Sequence, residues 1–175
     1  VQHIIKNQIS VEQIDMLKSL RGTLLINMLV DDAGEFVLSV LIDSPVSKLI
    51  IRNIPTNESD GDEYPKLKIE QVSTAVSNYK EAYTGKSIKD IIILRDIATW
   101  QNNSDKWMVD CDIGLKIIFE DDELLLIAYD SLAGLLKLLN PKEEQPVSEL
   151  LKEYWSMKTD RLASLKREEI YLKEI

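Results

Sequence analysis

KWMVDCDIGLKIIFEDDELLLIAYDS, residues 106–131, decides the fold. Two runs rich in Ile, Leu, Val and aromatic residues flank the acidic break Glu120-Asp121-Asp122-Glu123. Such runs bounded by polar clusters read as strands, and a short charged break between them reads as a hairpin turn. SIKDIIILRDIATW, 87–100, is a third run, set off by QNNSD at 101–105. LAGLLKLLN, 132–140, fits a final strand or a short helix; the turn-like DSLAG and the partner strand next to it favour a strand. The 86–140 region is therefore expected to be a meander.

The same logic extends towards the N-terminus. GTLLINMLVDDAGEFVLSVLIDSP, 22–45, is two apolar runs around DDAG, a hairpin with Gly34 available for positive φ. VSKLIIRNI, 46–54, is a further strand. These runs carry little polar alternation, as expected of central strands covered on both faces. Residues 55–65, PTNESDGDEYP, form an acidic loop between two prolines.

Three segments have helical spacing. In 10–21, Ser10 is a good N-cap, Gln13 stands at the capping-box position, Val11, Ile14, Leu17 and Leu20 form a stripe, and Gly22 is a stop. Val72, Ala75, Val76, Tyr79 and Tyr83 predict a helix near 70–83. From about 147, Val147, Leu150, Leu151, Tyr154 and Trp155 predict a C-terminal helical segment, continued by Leu162, Leu165 and Ile170 among many Lys and Glu residues. The expected fold class is α+β: a mostly antiparallel sheet with N-terminal, central and C-terminal helices, in one domain spanning 1–175.

Lys and Arg total 21 against 30 Asp and Glu, a net charge of −9. That balance repels nucleic-acid phosphates and anionic membranes and favours basic partners. A lone cysteine, Cys111, points to a reducing compartment, and no apolar run approaches the ~20 residues of a membrane span. The expected location is cytoplasmic. His3 is the single histidine, which leaves little for a Ser-His or Cys-His nucleophile or for zinc. No phosphate-cradling glycine loop is present, and ESDGDE, 58–63, lacks the acid spacing of a calcium loop. Asp96, Asp110, Asp112 and Asp130 interrupt strands and read as solvated-face or strand-end residues. Trp100, Trp107 and Trp155 read as packing residues and Cys111 as a small buried one.

DIGLKIIFEDDELLLIAYDSLAGLLKLL, 112–139, resembles a strand-turn-strand pattern of small bacterial immunity proteins from polymorphic toxin systems, including contact-dependent growth inhibition. Gly114, Phe119, Asp130, Ser131, Ala133 and Gly134 stand at the matching positions, with Trp107 upstream. The resemblance implies an interaction protein and not an enzyme. It would bind and occlude a cognate toxin, often a nuclease, in a stoichiometric complex, with no cofactor and no metal. An acidic chain suits a basic toxin cleft, because opposite fields speed association. The expected partner-contacting residues are the acids of the two turns: Asp60, Asp62, Glu63, Asp121, Asp122 and Glu123. Two other readings compete. One is a metal-dependent hydrolase using Asp110, Asp112 and Asp130. The other is an accessory subunit docking through its C-terminal helix.

Overall fold

The 106–131 stretch forms two antiparallel strands, β11 (Asp105–Phe119) and β12 (Glu123–Asp130), in the computed structural model of the chain. The structure describes residues 1–24, 27–31, 36–59, 62–73, 78–130, 134–140, 155 and 162–175. On the other side of β11 lies β10 (Ile88–Asn102), joined to it by a tight turn in which Asn103 takes φ 56°, a conformation Asn tolerates. β13 (Leu135–Leu139) continues beyond β12, so the expected meander is present. β14 (Leu162–Tyr171) flanks β10, and β3 (Phe36–Val37) flanks β13. β1 (Gln2–Asn7) runs parallel to β11 over 106–111, while β12 pairs with β11 over 114–118. One edge of β11 is thus shared, end to end, by two strands.

A second, five-stranded antiparallel sheet has the order β8 (Leu67–Gln71), β5 (Lys48–Asn53), β4 (Ser39–Asp43), β2 (Asn27–Asp31) and β9 (Tyr79–Thr84). The predicted hairpin is the β2–β4 pair, Met28 opposite Ile42 and Val30 opposite Val40. The chain leaves that plane at β3, which joins the larger sheet. A small hairpin, β6 (Thr56–Asn57) with β7 (Glu63–Tyr64), lies within the predicted acidic loop.

The core changes sides midway along the large sheet. Directly opposed residues share a face and neighbours along a strand alternate. The β10–β14 register is unbroken from Ile92 to Thr99, so Ile92, Leu94, Asp96 and Ala98 lie on one face, here the front, and Ile93 and Arg95 on the back. β11 carries an extra residue, Ile113, between the pairs Leu94–Gly114 and Arg95–Asp112. This bulge puts Val109 and Cys111 on the front, but Leu115 and Ile117 on the back. Around Trp100 and Trp107 the front is covered, by Tyr64 stacking 6.0 Å from Trp100 and by Trp155. Around Phe119 the back is covered, by the five-stranded sheet, with Tyr83 stacked 6.0 Å from Phe119. Both halves join in a single buried apolar cluster.

Helix α1 (Val11–Lys18) is the α-helix that lies wholly within the described residues, beside a 3₁₀ turn, Leu172–Glu174; Trp155 is helical as well. Ser10 Oγ caps it by accepting from the Gln13 amide at 3.2 Å. The Gln13 side chain does not complete a capping box; its Oε1 accepts from Ile69 N of β8 at 3.0 Å and ties helix to sheet. Leu17 and Leu20 are buried while Val11 is exposed. Among the described residues no helix is long and apolar enough to cross a membrane.

The fold is therefore largely β, which overturns the α+β expectation with its three helices. The predicted central helix, 70–83, is replaced by the end of β8 and by β9; residues 74–77 lie outside the described residues. Tyr79 and Tyr83 are four apart, a spacing that fits one helix face and equally two strand periods, and Tyr and Thr favour strands. Of the predicted C-terminal helical segment, 141–154 and 156–161 lie outside the described residues, Trp155 is helical, and the expected continuation over 162–171 is β14. Its Lys and Glu residues resemble a solvated helix face because β14 pairs only with β10, and charge on a free edge discourages further pairing.

Two glycines fix this arrangement. A Cβ on Gly114 would stand 2.7 Å from Leu126 O, so β11 could not approach β12 at its present spacing. Gly134 has φ +69°, and its Cβ would meet Asn53 O at 2.7 Å. Gly114→Ala and Gly134→Ala should each lower unfolding free energy by about 1–3 kcal/mol in urea titration, since overpacking forces backbone shifts. Gly22→Ala, in open space at φ +75°, should cost only about 1 kcal/mol.

Candidate functional site

Beside the bulge two carboxylates stand in the interior on opposite faces, Asp96 of β10 and Asp112 of β11. On the front, Asp96 is fully buried and in register with Arg167. Arg167 donates through Nε to Oδ1 at 2.7 Å and through Nη2 to Oδ2 at 3.0 Å, a bidentate pair. Trp155, also fully buried, donates through Nε1 to Oδ2 at 2.8 Å. On the back, Arg95 donates to Asp112 through Nε at 2.7 Å and Nη2 at 3.2 Å. The Ile9 amide adds a 2.6 Å bond to Asp112 Oδ2. Asp110 accepts from Gln8 Nε2 at 2.9 Å, and its Oδ1 stands 3.9 Å from Arg95 Nε.

These surroundings define what the groups can do. Burial pushes the Asp112 carboxyl above its ordinary range, against the pull of the Arg95 hydrogen bond and the Ile9 amide. Burial also pushes the Cys111 thiol well up, and the Asp96 and Asp112 charges reinforce it. A thiol held protonated is a poor nucleophile. Asp96 and Asp112 were expected on solvated faces; they are instead interior anions, each with a guanidinium. Asp110 and Asp112 do come together, but Arg95 lies between them, where a metal ion would have to sit. Asp130 ends β12 opposite Leu135. Among the described residues no group of three His, Cys, Asp or Glu converges as a metal site. Ser131 and Ala133, of the resembling pattern, lie outside the described residues.

The six acids expected to meet a partner do not form one surface. Asp60 lies outside the described residues. Asp62 and Glu63 belong to the small hairpin beside Tyr64, at the Trp100 end of the large sheet. Asp62 Oδ1 accepts from the Glu63 amide at 2.9 Å. Asp121, Asp122 and Glu123 lie beyond Phe119, at the other end. Trp107 and Phe119 mark the two ends of β11, on the order of 40 Å apart at the ordinary strand rise. At the far end Lys86 stands 3.5 Å from Asp121 and 3.7 Å from Asp122, with its ammonium 5.6 Å above the Phe119 ring. Asp121 remains 78% exposed. Glu123 turns instead into an open groove of about 530 Å³ on the front face. Arg21, Lys89, Lys116 and Lys173 also line this groove. No local motif announces it, because its cations come from four separate parts of the chain.

Comparison of the chain with protein families, with curated proteins and with solved structures found no match.

Removing one partner of a buried pair leaves the other charged and desolvated, at a cost of about 3–5 kcal/mol. Asp96→Ala and Arg167→Met should each lose that much, and the double variant should lose clearly less than the sum in a urea-melt cycle. Asp112 titrates with the opposite sign to a salt-bridged surface carboxylate. Its folded pKa is raised, so its contribution is fully present below its ordinary value of 3.8 and is lost as pH rises through the folded pKa. The stability of the wild type relative to Asp112→Asn should therefore fall as pH is raised from about 3.8, measured by denaturant melts at each pH.

Proposed function

We propose that this chain is a cytoplasmic immunity protein, a stoichiometric inhibitor that binds a basic toxin domain, with a nuclease as the favoured class. The acidic turn 120–122 carries the reading. It stands at the tip of the β11–β12 hairpin with Asp121 78% exposed, on a chain whose net charge is −9. An exposed anionic tip on a rigid sheet steers a cationic partner and sets salt dependence more than final affinity. A standard interface covers about 800 Å² per partner, roughly 30 Å across, too small to include both acidic segments. The 120–122 end is assigned to the interface, and the Asp62–Glu63 end is not. Lys86 and the nearby groove cations restrict which basic surfaces fit, so the partner must offer acids of its own beside its cationic cleft.

The test uses the product of the neighbouring reading frame, in which this reading expects a small basic toxin domain. A one-to-one complex and loss of that domain's activity are expected; neither complex nor inhibition would refute the reading. The triple variant Glu120→Gln, Asp121→Asn, Asp122→Asn should associate several-fold more slowly at low salt and with a shallower salt slope. Asp62→Asn with Glu63→Gln should leave both unchanged.

A further inference from the structure

We infer that the front-face groove at the Phe119 end is a binding site for a small organic phosphate with a flat or apolar body, of the nucleoside monophosphate class. This stands apart from the inhibitor reading and rests on the groove alone. Its floor is apolar, formed by Ile92 and Ile118, with the Tyr171 ring beside it. Its cations number four, Arg21, Lys89, Lys116 and Lys173, against Asp90 and Glu123. That is a local excess of positive charge on a chain of net −9. A volume of about 530 Å³ falls in the range of small-molecule sites.

The cations are not equally engaged. Lys116 donates to Glu169 at 2.9 Å and is largely neutralised. Arg21 Nε stands 3.1 Å from Asp90 Oδ1 but out of hydrogen-bond geometry, and it is a buried donor without an acceptor. Asp90 Oδ1 accepts instead from the Ile91 amide at 2.9 Å. The carboxylate therefore orients Arg21 without saturating its donors. Lys89 makes no ion pair among the described residues, and Lys173 rests over the Tyr171 ring at 5.3 Å. A phosphate dianion placed among Arg21, Lys89 and Lys173 gains charge-assisted hydrogen bonds from the exposed Lys89 and Lys173 ammonium groups, with the Arg21 charge beside them.

The opposite wall selects the rest of the ligand. Asp90 pairs with Ile118 and Ile118 with Glu123, so Glu123 stands two strands from the Arg21 end, about 10 Å away. A carboxylate there repels a second phosphate and accepts from an N–H or O–H, as the edge of a nucleobase provides. A long polyanion would meet Asp121 and Asp122 next door, which favours a ligand contained within the groove.

The test is calorimetric titration of the whole chain with adenosine monophosphate, inorganic phosphate and a single-stranded oligonucleotide at one fixed low salt concentration. Adenosine monophosphate should bind at one site, at least ten-fold tighter than inorganic phosphate. Lys89→Ala with Lys173→Ala should weaken it at least ten-fold while leaving the melting temperature unchanged; both side chains are exposed, so folding is not at stake. Absence of saturable binding, equal affinity for phosphate and nucleotide, or an unchanged affinity in the double variant would each overturn the proposal. Tighter binding of the oligonucleotide would overturn it in favour of a nucleic-acid site.

Discussion

Burial of charge at two adjacent strand positions governs the architecture. Arg95 and Asp96 are consecutive and so point to opposite faces of the sheet, at the level where its cover passes from one face to the other. A buried ion without a partner costs several kcal/mol, so each face must supply a counter-charge at that level. On the front this is Arg167 of β14, with the Trp155 indole closing the second lone pair. On the back it is Asp112 of β11, with the Ile9 amide at the β1–α1 junction. A one-residue slip of β14 or β11 against β10 would move these groups to the wrong face. The pairs thus act on register more than on net stability, the role for which buried polar groups are best attested.

The bulge at Ile113 turns this constraint into a shape. It lets one long hairpin present its apolar residues to the front at one end and to the back at the other. The five-stranded sheet and α1 occupy the back, and the small hairpin and Trp155 occupy the front. Each uncovered half remains as open sheet face, and one of these is the cationic groove. At the same level β1 ends and β12 begins along β11, with Gly114 allowing the close approach of β12. Bulge, glycine and strand exchange therefore fall within a few residues of the two ion pairs.

Much of the strand content was legible in the sequence because runs such as IIIL and LLLIA cannot be satisfied on a surface. The meander, the β2–β4 pair, β5, β13 and α1 with its Ser10 cap all follow from local pattern. The central helix and the helical continuation over 162–170 fail for a local reason as well. Tyr79 and Tyr83 satisfy helix and strand periods alike, and the charges of β14 belong to a sheet edge. What pattern could not show was long-range pairing. Asp96 and Asp112 look like interruptions until Arg167 and the Ile9 amide arrive from distant segments. The groove cations were illegible for the same reason: Lys89 and Lys116 alternate with isoleucines as any half-exposed strand residue does.

The pairing of β1 with the first half of β11 also sets an order of assembly. The Ile9–Asp112 bond spans 103 residues of chain, and Arg167–Asp96 spans 71. Loop-closure entropy makes such contacts late and slow. The five-stranded sheet, by contrast, closes from residues 27–84 through antiparallel neighbours. During synthesis on the ribosome β1 must wait, with its backbone unpaired, until β11 has emerged. Asp96 must in turn wait for the last strand. An apolar segment such as Ile4-Ile5 is a target for chaperones over that interval. The chain's vulnerability to misassembly is therefore greatest before β14 docks, and a nascent chain halted ahead of Arg167 would hold Asp96 without its guanidinium.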